Sequence, residues 1–329
     1  CQNALIEKIC NVQKNTIVVL HNGSPVTMPW KDRVKGIVEA YLGGQAVGKA
    51  VVNILYGNVN PSGRLAETFP LRLEDTPCYL TYGKGVDEAV YSEGVFVGYR
   101  YYTSKKQEVL FPFGYGLSYT TFTYGNLKLD KSAMTDQEVL TVSVDVENTG
   151  NRAGKEVVQI YVAPGESETA RPVKELRAFD KIELAPGEKK TVVFELDARA
   201  FAYWNTELHD WFVESGDYEI QVGKNVEEVL LSKSVQVEGT KKIKKIYTLN
   251  TCMGELMRDE KAGAVFGQMM SGNQQAKEMA EANQEDSSGA VNAEMMAAMM
   301  NDMPLRQLLS FVPGMTREAL EQILAAVNQ

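Results

Sequence analysis

The chain has 329 residues, too many for one hydrophobic core and enough for two or three. Its 44% hydrophobic and 23% charged content is ordinary for a globular protein in water. A net charge of −9 excludes the broad basic face that nucleic acid or an anionic membrane demands, so neither is expected as a partner.

Residues 2–13 carry Leu5, Ile6, Ile9 and Val12 at helical spacing and predict an amphipathic helix. Thr16-Ile17-Val18-Val19-Leu20 is short, β-branched and continuous, the pattern of a buried strand. Its apolar run Ile17–Leu20 is far below the ~20 residues of a membrane span. His21-Asn22-Gly23-Ser24-Pro25 ends the strand. Val34, Ile37, Val38 and Tyr41 predict a second helix or a helix–strand unit, Gly43-Gly44-Gln45 a turn, and Ala46–Tyr56 a further helix. This alternation implies an open, mostly parallel sheet with helices on both faces. Ligands of such sheets meet the loops beyond the C-terminal strand ends, where His21 and Asn22 stand.

Residues 57–117 are rich in Gly, Pro and Tyr and weak in periodicity, as wrapping loops are. They end in Phe111-Pro112-Phe113-Gly114-Tyr115-Gly116-Leu117-Ser118-Tyr119-Thr120-Thr121-Phe122, whose rings, glycines and proline describe a tight aromatic junction between modules. From 118 to 238 the texture becomes that of short strands. Leu140–Glu147 and Lys190–Leu196 alternate with period two, and Asn148-Thr149-Gly150-Asn151 and Pro186-Gly187 are turns. The pattern predicts an all-β sandwich without the paired cysteines of antibody domains, closest to a fibronectin type III module.

After Gly239 a short basic run, Lys241–Lys245, reads as a solvated linker edge, and a Met-rich helical tail follows. Gln274–Ala298 is Ala/Glu/Gln/Met-rich, Met303–Leu309 opens a short helix with Pro304 in its first turn, and Thr316 caps a last one. The tail is expected to pack on its own protein or to mediate self-association. Cys1, Cys10, Cys78 and Cys252 lack CxxC spacing, so no metal or redox motif is expected, and a reducing, cytoplasmic setting is. The chain opens on Cys1, directly in a helical pattern, and is expected to be cut from a longer protein.

Six phrases, in order, resemble family 3 of the glycoside hydrolases. They are Asn3-Ala4-Leu5-Ile6, Val19–Val26 with Pro29-Trp30, Asn60-Pro61-Ser62-Gly63-Arg64-Leu65, Thr68-Phe69-Pro70, Glu93–Tyr102, and the aromatic phrase at 111–122. The resemblance covers about residues 2–238, and the tail is similar to some bacterial members. It implies a β-glucosidase-like retaining hydrolase built from a (β/α)₈-type barrel, an α/β sandwich and a fibronectin-like domain, working without cofactor on terminal non-reducing β-D-glucosyl residues. Its expected division is 1–117 (incomplete α/β sandwich with wrapping loops), 118–239 (fibronectin-like β-sandwich) and 240–329 (linker and helical tail). Such hydrolysis needs a carboxylate nucleophile and a carboxylic acid/base. In this family both precede the Asn-x-Leu-Ile helix, so no catalytic residue is carried over onto this chain. Residues 1–329 are expected to be inert alone, as the C-terminal part of the enzyme, half of a split enzyme, or a non-catalytic carbohydrate-binding or assembly protein.

The candidate substrate-binding residues are His21, Asn22, Tyr99 and Arg100. His21 and Asn22 either contact sugar and orient the acid loop or bond their own loop backbone. Tyr99 and Arg100 either line the rim toward the barrel or pack and pair internally. Glu93 is expected to pair with Arg100, and Arg64 to be a buried anchor. Trp30 is a candidate for stacking on sugar, Trp204 and Trp211 are expected in the β-sandwich core, and His209 in a turn.

Overall fold

The structure is a computed structural model that describes residues 1–85, 87–271, 298, 301–312 and 314–328. They form two compact units, 1–241 and 242–329.

In the first unit, helix α1 (Gln2–Val12) leads into strand β1 (Ile17–Leu20), which pairs in parallel with β2 (Gly36–Glu39) from Ile17↔Gly36 to Leu20↔Glu39. The segment around Val34–Tyr41 is thus a strand, preceded by a short 3₁₀ turn at Lys31–Arg33, rather than a helix. Its β-branched pair Ile37-Val38 joins the Val18-Val19 ladder, which outweighs the helix-like spacing. Met28, Trp30 and Phe69 are the buried centre of this layer, with Val18, Leu20, Ile37 and Tyr41 packed around them. Trp30 is 2% exposed, and its indole N–H donates to Asn3 Oδ1 at 2.9 Å, so it stacks on no ligand.

Helix α2 (Val47–Leu55) is strongly apolar yet has no buried residue, and α1 buries only Cys10. Val12, Leu42 and Tyr56 stand 80% or more exposed. The two strands are half-buried apart from Ile17, and the two helices leave much of their apolar surface in water.

The expected wrapping loops hold more order than their sequence suggests. β3 (Phe69–Pro70) pairs antiparallel with β4 (Val109–Phe111), and between them lies α3 (Tyr99–Lys105). Gly98 enters that helix at φ 58° and Lys106 leaves it in the left-handed region at φ 55°. Both ends are thereby sharp. Three tyrosines, Thr103 and Ser104 have only modest helix propensity and seven residues are too few for a helix in isolation, so packing holds α3 in place.

The β-sandwich follows, with strands β5 (Phe122–Leu129), β6 (Ala133–Thr135), β7 (Leu140–Asn148), β8 (Gly154–Pro164), β9 (Glu175–Leu184) and β10 (Lys189–Leu196). After helix α4 (Ala198–Phe201) come β11 (Tyr203–Asn205), β12 (Asp210–Phe212), β13 (Gly216–Gly223) and β14 (Val229–Glu238). One sheet has the order β10-β7-β5 and the other β6-β14-β13-β8-β9. Alternation places Leu140, Val142, Val144 and Val146 of β7 fully inside, facing Ile160 and Ile220 of the second sheet. β11 and β12 make a separate hairpin on which Trp204 lies directly opposite Trp211. Trp204 is 49% exposed, not a core residue. Of the two indoles only Trp211 leans on the sandwich core, and Asn205 and Phe212 of the same hairpin are buried. His209 sits in the hairpin turn at φ 49°, as expected of a turn residue.

The second unit has its own core. α5 (Met253–Arg258), α6 (Glu260–Ser271), α7 (Leu308–Phe311) and α8 (Arg317–Val327) enclose Leu256, Phe266, Leu305 and Leu320. Thr316 caps α8 by accepting from Ala319 N at 3.2 Å. The Ala/Glu/Gln/Met-rich stretch before residue 298 lies outside the described residues. No described helix is long and apolar enough to cross a membrane.

Candidate functional site

The C-terminal ends of β1 and β2 gather a polar cluster. β1 delivers His21 and Asn22; β2 delivers Glu39 and, one turn on, Tyr41. Asn22 Nδ2 donates to Ser24 O at 2.8 Å and folds the loop on itself, while its Oδ1 is buried without a donor. His21 is exposed, with Nδ1 3.4 Å from Tyr41 O. Glu39 Oε1 accepts from Tyr41 N at 2.8 Å and fixes Tyr41 at φ 44°, a conformation a tyrosine rarely takes. Glu39 Oε2 and Tyr41 Oη are also buried without partners. Burial, then Glu67 and Glu39, push the Tyr41 phenol up to about 12. Glu67 is itself raised, by burial first and by Glu39 second. Asn22 Oδ1 and Glu39 Oε2 are thus acceptors that no donor reaches, the Tyr41 hydroxyl bonds neither, and the Glu39 and Glu67 carboxylates repel each other.

Tyr99 and Arg100 lie elsewhere, on α3, where that helix meets the β-sandwich. Tyr99 is 9% exposed, stacks on Phe113 with centroids 4.5 Å apart, and meets Tyr161 edge-on. Its Oη accepts from Leu176 N at 2.9 Å on β9. Arg100 Nε donates to Glu175 Oε1 at 2.8 Å, and Arg177 binds the other oxygen of Glu175. The expected Glu93–Arg100 pair is thus corrected. Glu175, 75 residues away in sequence, takes the guanidinium, and Glu93 Oε2 is buried with no donor.

The aromatic phrase completes this junction. Gly114 O accepts from Gln159 Nε2 at 3.1 Å, and Phe113 O accepts from Val226 N at 3.1 Å. Gly114 needs its φ of 81°, and a Cβ there would run into Gln159. Beside it, Arg64 Nη2 donates to Glu156 Oε2 at 2.7 Å, and Tyr124 Oη donates to Glu156 Oε1 at 2.9 Å. Arg64 is the buried anchor its sequence setting suggested. The junction's carboxylates, Glu156 and Glu175, are each neutralised by arginine, which suits them for holding modules together and not for proton transfer.

Sequence reasoning placed His21 and Asn22 at a strand end and missed Glu39, Tyr41 and Glu67 beside them. The signal available was the parallel-sheet rule itself, applied to the end of the second strand as well as the first.

Comparison with known proteins bears on both regions. Residues 1–119 match the glycosyl hydrolase family 3 C-terminal domain, and residues 156–226 match the fibronectin type III-like domain. Thermostable beta-glucosidase B of Acetivibrio thermocellus is 49% identical over 328 residues, 99% of this chain and 42% of that protein. The crystal structure of a Bifidobacterium adolescentis family 3 beta-glucosidase superposes with TM-score 0.73 at 38% identity, over 80% of this chain and 39% of that one. A beta-glucosidase from Kluyveromyces marxianus in complex with glucose gives TM-score 0.68 at 41% identity, over 72% and 28%. The chain spans less than half the length of each.

Proposed function

Since the chain belongs to glycoside hydrolase family 3, we propose that residues 1–329 are the supporting C-terminal part of a retaining β-glucosidase-type enzyme. That enzyme removes terminal non-reducing β-D-glucosyl residues without a cofactor. The nucleophile and the acid/base come from polypeptide outside residues 1–329, and these residues alone do not cleave glycosides. One observation carries this reading: apolar side chains of α1 and α2, beside a two-stranded parallel sheet, stand open to water. Buried acceptors await donors at the same sheet's C-terminal end. Further polypeptide covering that layer would supply both.

In the assembled enzyme, His21 and Asn22 flank the acid loop or touch sugar, since the exposed imidazole and Asn22 Oδ1 have hydrogen-bonding capacity left. Tyr99 acts through packing, and Arg100, bound to Glu175 through Nε with 37% of its side chain exposed, is the one that borders the rim. The free thiols of Cys1, Cys10, Cys78 and Cys252 agree with a reducing, cytoplasmic setting. Self-association through the second unit would use exposed Met257 and Phe311.

An aryl β-glucoside tests the proposal. Purified residues 1–329 give no turnover, and adding the N-terminal part of the Acetivibrio relative restores it. Turnover by the chain alone, abolished by mutating one of its own carboxylates, would overturn the reading. The second reading, a non-catalytic carbohydrate-binding protein, is favoured by the exposed Trp204, which packs edge-on against Trp211 at 5.5 Å.

A further inference from the structure

Glu93 lost its expected partner to Glu175, and its surroundings show what that leaves. A turn closes from Phe96 N to Glu93 O at 3.0 Å, with Gly94 at φ 56°. Residues at the two corners of such a turn are drawn together, so Glu93 and Phe96 stand side by side. Facing them, one turn apart on α3, are Tyr101 and Lys105. Lys105 Nζ donates to Tyr101 Oη at 2.7 Å and lies 5.0 Å from the ring centroid, so the ring is held from one side.

Between the turn and the helix is an open cleft of about 420 Å³, lined by Ser92, Glu93, Phe96, Tyr101, Ser104 and Lys105. That volume falls in the ~300–1,000 Å³ range of small-molecule sites. Both walls are braced. Ser92 Oγ lies 3.1 Å from Thr81 Oγ1, and Ser104 Oγ accepts from Val173 N at 3.2 Å.

The chemistry of the lining selects a ligand class. Two aromatic rings offer apolar faces, while a carboxylate, an ammonium and two hydroxyls offer acceptors and donors. One negative and one positive group cancel, so nothing favours a charged ligand. The Glu93 carboxylate is short of donors: no ion pair or side-chain hydrogen bond reaches it among the described residues, and its Oε2 is sealed from water. Such a carboxylate gains most from hydroxyl donors at its other oxygen. A polyhydroxylated ring with an apolar face meets all of these demands together.

We propose that the cleft between the Glu93 turn and α3 is a binding subsite for a neutral pyranoside, with Phe96 and Tyr101 against the ring and Glu93 and Lys105 on its hydroxyls. The choice of a saccharide rests on the glycosidase reading above. The site itself lies within residues 1–329 and needs no catalytic residue.

The test titrates cellobiose into the purified 329-residue chain, followed by saturation-transfer NMR and by calorimetry. Saturable binding is expected. Glu93→Gln should weaken it about tenfold, as loss of a charge-assisted hydrogen bond does. Phe96→Ala should remove the ring's saturation-transfer signal. Glu93→Gln keeps shape and is the informative variant if Phe96→Ala proves unstable. Absence of saturable binding overturns the proposal, as does binding that both variants leave unchanged, which would move it to another surface such as Trp204. Aryl-glucosidase restoration by the Acetivibrio N-terminal part is measured in parallel. Restoration without cellobiose binding removes the subsite and keeps the enzyme reading; binding without restoration does the reverse.

Discussion

Arg64 and Glu156, 92 residues apart, meet at 2.7 Å with side chains only 9% and 4% exposed. The pair ties the loop after Pro61-Ser62-Gly63 to strand β8, and Tyr124 closes the remaining side of the carboxylate. Burial and the adjacent Glu156 push the Tyr124 phenol far above its ordinary range. Arg64 Nε stays buried without a partner, and removing Arg64 or Glu156 would leave a buried charge stranded as well.

Arg64→Ala is therefore expected to destabilise the first unit by about 3–5 kcal/mol. Arg64→Met with Glu156→Leu should cost much less, because no buried charge remains. All three tryptophans lie in 1–241, so urea unfolding followed by tryptophan fluorescence reports that unit alone. Equal costs for the single and double variants would refute the argument.

At Tyr99, ring and hydroxyl can be separated. Tyr99→Phe removes only the acceptor for Leu176 N and should cost about 1–2 kcal/mol. Tyr99→Ala also removes the stack on Phe113 and should cost about 3–5 kcal/mol. If Tyr99 were instead a rim residue, both variants would unfold like the parent.

Gly114→Ala combines a left-handed φ of 81° with a collision against Gln159. A loss of ~2 kcal/mol or more is expected, against ~1 kcal/mol for an ordinary Gly-to-Ala change at positive φ. Gln159→Ala in the same background should recover part of it by clearing the clash.

The strand-end cluster predicts a pH signature. Glu67 is raised in the fold, so its protonated form is favoured there; its contribution is complete below the unfolded carboxylate pKa and lost as pH rises through the folded one. Glu67→Gln should accordingly raise the melting temperature at pH 7 and leave it unchanged at pH 3. Tyr41, pushed up to about 12, behaves likewise at the alkaline end: stability is lost between pH 10 and about 12. Burial pushes the Tyr102 phenol up to about 12 as well, so ultraviolet titration should show a late phenolate step that Tyr41→Phe reduces by one tyrosine and does not abolish.

How much was legible depends on the range of the interaction. The alternation Leu140-x-Val142-x-Val144-x-Val146 announces β7, because a strand's side chains alternate whatever lies around it. Helix α3 was hidden, since its residues form a helix only when Tyr99 and Tyr102 have a core to enter. In the strand-end cluster, His21 and Asn22 follow an obvious strand. Glu67 reaches Tyr41 only through the fold, and no local spacing relates them.

Six ordered phrases and two period-two strand sets are properties of neighbours in the chain, and the sequence alone determined from them the family and the order of its α/β and fibronectin-like domains. Which arginine meets which carboxylate is a different kind of fact. Glu93 lies seven residues from Arg100 and Glu175 seventy-five, yet the β-sandwich brings Glu175 to the guanidinium at 2.8 Å. Charge pairing in a folded protein follows distance in space, and only the tertiary structure assigns it.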